Sequence, residues 1–253
     1  MRGLSLLALS GIPEVGRGDC VARLIDDAVK REGTRLEDGD VLVIAQKIIS
    51  KTEGRQVPLA GVEPSPRARE LATLTDKDPR IVELMLRESR EVVRARRGVL
   101  IVEHRLGCIM ASAGIDQSNV PGIEGEQVLL LPVDPDASAR RIRDELKQLS
   151  GAQTGVVIND SFGRAWRNGV TGTAIGVAGI PALVDMRGSP DREQRALRVT
   201  EIAVADELAA AASLVMGQAA EGTPVVLARG FPYALREGSV RELIRPRDQD
   251  LFR

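Results

Sequence analysis

The chain is poor in aromatic, sulfur and imidazole side chains. Its 253 residues include three Phe, one Tyr, one Trp, two Cys and a single His. Two thiols cannot build a disulfide framework or a four-thiolate zinc centre. Cys20 and Cys108 are therefore expected to be reduced core thiols. With His104 alone, multi-histidine zinc sites are excluded, and Ser-His-Asp catalysis would have to run through that one residue. His104 lies in "VLIVEHRLG", near an expected strand end, where a structural role is expected. Any metal should then be held by oxygen ligands, which points to Mg²⁺ or Mn²⁺. Neither sign of charge is in excess, with 35 Lys plus Arg against 36 Asp plus Glu. That balance argues against a nucleic-acid or anionic-membrane partner. No apolar run approaches the ~20 residues of a membrane span. The opening "MRGLSLLALSGIP" fits a first buried strand over Leu4 to Leu9 better than a leader peptide, because Pro13 and Glu14 follow without a small-residue cleavage site. A soluble, cytoplasmic protein is expected. Neither a Walker A loop nor a spaced G-x-G-x-x-G occurs, which excludes the commonest phosphate-binding designs.

What the chain does contain is an ordinary globular balance, 43% apolar and 28% charged, with no repeat, low-complexity segment or linker. "DCVARLIDDAVKREG" has helical spacing at Val21, Leu24, Ile25 and Val29 and closes at Gly33. "GDVLVIAQKIISKTEG" reads as a turn, a buried strand Val41 to Ala45, and a polar exit. A helical block is expected from about Ser65 to Arg97, with Asp78 capping a helix that has Pro79 at its first position. Val82, Met85, Leu86, Ser89 and Val93 would share one face. "VLIVEH" and "GCIMASAG" suggest a hairpin. "ASARRIRDELKQLSG" is an amphipathic helix ending at Gly151, and it feeds the strand "TGVVIND". After the Gly-rich strand region "GVTGTAIGVAGIPALVDMRG", a small-residue helix is expected from Arg195 to Gly217. Its stripe of Ile202, Ala205, Ala209, Ala212 and Met216 suggests close packing on a sheet or another subunit. "PVVLARG" is the last strand. The order is mixed α/β without strict alternation.

Three polar clusters follow strands, and strand carboxyl ends are where α/β proteins bind ligands. They are Gln46 to Lys51, Asp116 to Asn119, and Asn159 to Arg167. Each alone is explained by a turn, since Asp and Asn favour turns. Three exits with complementary chemistry favour a site. The third, "NDSFGRAWRNG", joins a carboxylate and hydroxyl suited to Mg²⁺, Asp160 and Ser161, to Arg164 and Arg167, spaced one helical turn apart and suited to phosphate or carboxylate. The plainer reading of that stretch is a surface loop anchored by Trp166.

"SGIPEV", "GDVLVIAQKIISKTEG", "GCIMASAGIDQSNV", "NDSFGRAWRNG" and "LVMGQAAEGTPVVLARG" occur in an order that closely resembles the coenzyme F420-0:gamma-glutamyl ligases, over nearly the whole chain. The resemblance implies a single ligase domain over residues 1–253 in the stand-alone form, without the nitroreductase-like domain fused in some bacterial members. The implied fold is mixed α/β, two intertwined lobes with mixed sheets, neither P-loop nor Rossmann. It also implies a GTP-dependent enzyme, with two divalent ions (Mg²⁺ or Mn²⁺) and K⁺ as a further ion. That enzyme would join L-glutamate to a deazaflavin phosphodiester precursor through an acyl phosphate, then add further gamma-linked glutamate, in coenzyme F420 biosynthesis. A homodimer is implied too. Carried over by residue, Gly11, Ile12, Pro13, Glu14, Gln46, Lys51 and Asn119 would contact the nucleotide. Asp116 and Asp160 would hold one metal ion, and Ser161, where relatives have threonine, would serve a second. Gln218, in "MGQ", stands where relatives often have an acidic ligand. Lys51, Arg164 and Arg167 would act on the transferred or accepting groups, unless the arginines brace their loop. Two alternatives share these motifs: a nucleotide-dependent carboxylate-amine ligase with another acceptor, and a catalytically silent deazaflavin- or nucleotide-binding protein.

Overall fold

A computed structural model describes residues 3–117 and 126–251. Its centre is a five-stranded mixed sheet of β1 (Ser5–Ala8), β12 (Val225–Arg229), β2 (Val41–Ala45), β8 (Gly155–Arg164) and β9 (Arg167–Ala178), in that order. β2 and β8 are parallel, with Ala45 opposite Asn159. The neighbouring pairs in this sheet are antiparallel. The central strands read as unbroken apolar runs because both faces are covered. On one face Leu42, Ile44, Val156, Ile158, Val225 and Leu227 pack under α1 (Val21–Arg31) and α5 (Pro135–Ser150). On the other, Val41, Val43, Val157, Val226 and Ala228 meet the alanine stripe of α6 (Val204–Met216). Each such fully buried Leu, Ile or Val contributes about 1.5–3 kcal/mol. α6 comes unusually close to β9 at Gly172, where a Cβ would stand 2.4 Å from the Ala209 carbonyl oxygen. The alanine stripe therefore serves the sheet.

A second lobe carries α3 (Pro66–Thr75), α4 (Pro79–Arg87) and the antiparallel sheet β4 (Ser89–Arg96), β5 (Val99–His104), β6 (Ile109–Ala111). β3 (Gln56–Pro58) and β7 (Gln127–Leu129) form a small antiparallel pair beside it. The fold is thus mixed α/β with a mixed central sheet, and it has neither P-loop nor Rossmann character. Three helix starts follow one local rule. Ser65, Asp78 and Asp134 accept from the backbone N–H groups of Ala68, Arg80 and Ala137, and Pro66, Pro79 and Pro135 open the helices.

Several expectations are corrected. β1 lies at the edge of the sheet, so Leu4 and Leu7 are exposed and only Leu9 is fully buried. The polar exit after β2 is a helix, α2 (Gln46–Thr52). The helical block stops at Arg87, and Ser89 and Val93 belong to β4. In place of a helix from Arg195, the short β10 (Val184–Asp185) and β11 (Glu201–Ile202) pair, and α6 begins only at Val204. Cys20 is exposed, with its thiol 3.6 Å from Glu145, and Cys108 is half-buried against the core. Among the described residues no helix is long and apolar enough to cross a membrane.

Candidate active site

β2–β8 is the one parallel pairing among the described strands. Side by side, the two strands deliver two of the three polar clusters to the same edge of the sheet. From β2 the chain turns directly into α2, whose first residue, Gln46, is buried. Its carbonyl Oε1 accepts the Ser50 hydroxyl, one turn on, at 2.8 Å. That bond leaves the Gln46 Nε2 group to donate to Asp116 Oδ2 at 2.9 Å. Lys47 approaches the other Asp116 oxygen, Oδ1, at 3.4 Å.

Asp116 comes from the second lobe, after a tight left-handed turn in which Ser112, Ala113 and Gly114 have φ of 54°, 52° and 64°. A non-glycine residue held there costs on the order of 1 kcal/mol or more, and such strain concentrates at functional sites. At Gly114, also left-handed, a Cβ would lie 2.8 Å from the Leu131 side chain, which would have to shift. The turn is locked by reciprocal backbone hydrogen bonds between Asp116 and Leu129.

Asp160, on β8, is one residue past Asn159 and pairs across the hairpin with Thr173. Its carboxyl is pushed up to about 6, first by burial and then by the like charge of Asp116; the Ser161 N–H, which it accepts at 2.8 Å, pulls the other way. Asp116 is raised as well, by burial, against the pull of Lys47 and Gln46. Two carboxyl groups, one of them raised by the charge of the other, supply oxygen donors of the kind a divalent cation takes. Among the described residues no group of three or more His, Cys, Asp or Glu could hold a metal. The donor set is two carboxylates with a neighbouring hydroxyl, Ser161. This suits Mg²⁺ or Mn²⁺, which commonly take one or two protein carboxylates and draw further oxygens from water or substrate phosphates.

The other expected residues fall into three groups. Lys51 is buried on α2, and its ammonium pairs with Glu14, so the loop from Gly11 to Glu14 after β1 is tied to the same helix. Gly11, with φ of 65°, gives its carbonyl to Arg31 at 2.6 Å. Ile12 packs on the core while Pro13 is exposed. Arg164 and Arg167 form a second group, which the structure keeps apart from the acids. They face each other across the tip of the β8–β9 hairpin rather than along a helix, both exposed, four residues and about 13 Å of strand beyond Asp160 in the case of Arg164. Gln218 is exposed in the bend after α6, beside Glu221, whose carboxylate accepts the Ala219 N–H at 2.8 Å. Asn119 lies outside the described residues.

Sequence reasoning passed over Asp206, and it placed Asn159 in the third polar cluster without giving it a role. Asp206 sits in the first turn of α6 and accepts the Ala174 N–H at 2.9 Å, beside a bulge that leaves Ile175 with no opposite residue. An expected helix start at Arg195 hid it; the acidic pair Asp206-Glu207 was the available signal for a later start. Burial, Asp206 and Asp160 together push the Cys108 thiol up to about 12, so it is no nucleophile. Asn159 is buried and holds the end of α6 through Ser213 Oγ at 3.1 Å.

The profile of the F420-0:Gamma-glutamyl ligase family matches residues 11–230, which contain every described element of this site. The chain belongs to the F420-0:Gamma-glutamyl ligase family. It is 47% identical over 253 residues to a Coenzyme F420:L-glutamate ligase of Methanothermobacter thermautotrophicus, covering 99% of both chains. Proteins of the same name from Methanopyrus kandleri and Archaeoglobus fulgidus are 46% and 41% identical over 260 and 250 residues, covering 100% and 99% of this chain and 100% and 96% of theirs. Within this ligase family frame, the acids at the β2–β8 edge and the Lys51–Glu14 contact are the features that bear on chemistry.

Proposed function

We propose that this member of the F420-0:Gamma-glutamyl ligase family joins L-glutamate to coenzyme F420-0 at the expense of GTP, and then adds gamma-linked glutamate, in coenzyme F420 biosynthesis. The observation that carries the reading is the placement of Asp116, held by Gln46 and Lys47 of α2, and of Asp160 on β8 at the carboxyl edge of the parallel strands, with Lys51 further along the same helix. A terminal carboxylate of the precursor attacks the GTP gamma-phosphate, forming an acyl phosphate and releasing GDP. The glutamate alpha-amine then attacks the acyl carbon, and phosphate leaves as the amide forms and the amine gives up a proton. In the second round the gamma-carboxylate of the first glutamate takes the acceptor role.

The protein's part is positioning and charge neutralisation. Asp116 and Asp160 would hold a divalent ion, Ser161 and Gln218 a second, and bound metal would neutralise charge on the phosphate oxygens. Gln46 fixes the Asp116 carboxylate. Lys51, freed from Glu14, is the group best placed to face phosphate. Gly11 to Glu14, Gln46 and Asn119 remain the nucleotide contacts, and Arg164 and Arg167 are candidates for substrate charges reached by the hairpin. K⁺ would be a further ion. We assign the enzyme to the cytoplasm. Leu214 and Val215, apolar and exposed on α6 away from the sheet, support a homodimer.

The test is a ligation assay with purified protein, GTP, Mn²⁺ or Mg²⁺, L-glutamate and F420-0, read by mass spectrometry. Glutamyl mass increments matched by GDP release are expected. GDP release without an increment would mean another acceptor, and neither signal from folded protein would favour a binding protein.

A further inference from the structure

Lys51 and Glu14 form an ion pair between unequal partners. The Lys51 side chain is 8% exposed and that of Glu14 is 74% exposed. A lysine withdrawn from water needs a counter-charge, and among the described residues Glu14 is its one ion-pair partner. The solvated carboxylate has no matching need, because water satisfies it as soon as it lets go. The backbone beside it is pinned, so letting go moves a side chain and not a loop. Upstream, the Ser10 N–H donates to Glu32 at 3.1 Å, and the Gly11 carbonyl accepts from Arg31 at 2.6 Å. Val15, the next residue, is buried in the core. Downstream, the Gly18 N–H donates at 2.9 Å to the carbonyl of Thr52, which follows Lys51 on α2.

Lys51 belongs to the helix whose first two residues hold Asp116 at the β2–β8 edge. A phosphate group arriving there brings about two negative charges and several acceptor oxygens, against the single charge of Glu14. Two anions on one ammonium repel each other, so the stronger displaces the weaker. Glu14 can leave for water, and Lys51 cannot follow it.

We propose that the Glu14 carboxylate is a stand-in for phosphate: it holds Lys51 in place while the site is empty and swings into water when a nucleotide phosphate takes its position. This role rests on the nucleotide part of the ligase reading. Glu14 is then a positioning residue that acts through Lys51, and it competes with the ligand. Removing its carboxylate has a sign that a direct contact lacks. The empty chain loses a counter-charge, whereas the loaded chain loses only a nearby like charge.

The test is calorimetric titration of the full chain with Mg²⁺ and either GTP or inorganic triphosphate, which has the phosphates without the nucleoside, alongside thermal melts. Glu14→Gln should tighten both ligands by about three- to tenfold, the scale of one partly exposed ion pair. The melting temperature of the empty variant should fall by about 2–4 °C. That difference from the parent should close at saturating GTP, since the loaded forms both lack the pair. In a Lys51→Met background the same substitution should change neither affinity by more than about twofold. Weaker GTP binding in Glu14→Gln overturns the stand-in role, because the carboxylate would then touch the ligand. Unchanged affinity with a lower melting temperature also overturns it and leaves Glu14 a structural brace. A parent chain that binds neither GTP nor triphosphate overturns it as well. The ligase reading fails separately: if both ligands bind and Glu14→Gln tightens them, but mass spectrometry finds no glutamate joined to F420-0, the stand-in role holds and the ligase reading falls.

Discussion

Two clusters of half-buried charge among the described residues, one around Glu88 and one around Asp160, differ in how well their charges are answered. In the second lobe Glu88 is met by Arg55 at 2.9 Å and Arg105 at 3.0 Å, and the buried His104 imidazole stands 3.6 Å away. Burial pushes the Glu88 carboxyl upward, yet His104, Arg105 and Arg55 outweigh it and hold it down at about 2. The arginines also donate to the carbonyls of Leu131 and Val133, so the cluster stitches α4, β5 and the chain after β7 together. At the β2–β8 edge, Asp160 faces Asp116 and is pushed up to about 6. Carboxylates withdrawn from water in both places therefore behave in opposite ways. A carboxylate with its partners supplied braces the scaffold, whereas one facing its own sign lacks that compensation, which is the basis on which a ligand role is proposed for Asp160. The lone histidine falls on the scaffold side: its Nδ1 accepts the Leu106 N–H at 3.1 Å, within the β5–β6 turn.

Substitutions can break this contrast. The largest effect is expected from Asp160→Asn, which should lower ligation by about 10²-fold or more through lost charge neutralisation, while leaving the melting temperature unchanged or raised. A matching fall in melting temperature would show that Asp160 is scaffold after all. Glu88→Ala should do the reverse, costing about 3 kcal/mol in chemical denaturation because it strands two arginines, with kcat in the folded fraction little changed. Acid sharpens the same point. Glu88 titrates lower in the folded chain than in the unfolded one, so its stabilisation is complete above its ordinary value of 4.5 and is lost as pH falls through about 2. Denaturation series across that window should lose on the order of 2–3 kcal/mol in the parent and much less in Glu88→Gln. The smallest effect is expected from Lys47→Met. That pair with Asp116 is about one-third exposed on both sides, so stability should change by less than about 1 kcal/mol. A larger loss would place Lys47 in the scaffold.

What could be read in advance was what depends on neighbours in the chain. The α1 and α5 stripes, the Asp78-Pro79 start and the β2 strand follow from spacing and capping within a dozen residues. "SREVVRAR" failed because Ser89 and Val93 continue the spacing of α4 while no Gly or Pro separates them from Arg87; only pairing with β5 makes the segment a strand. Arg164 and Arg167 failed for a related reason. Three residues apart is one turn of a helix but opposite sides of a tight hairpin, and β9 supplied the partner strand that decided it.

By itself, then, the sequence determined the family and the mixed α/β class and nominated the candidate residues, because residue chemistry and short-range spacing are local properties. Only the tertiary structure decided that the charge of Asp116 reaches Asp160, that Lys51 meets Glu14, and that residues 240–250 wall a cavity with Phe162, Thr173 and Asp206. Those relations join positions far apart in the chain, and burial and pairing of charge exist only once the chain has brought such positions together.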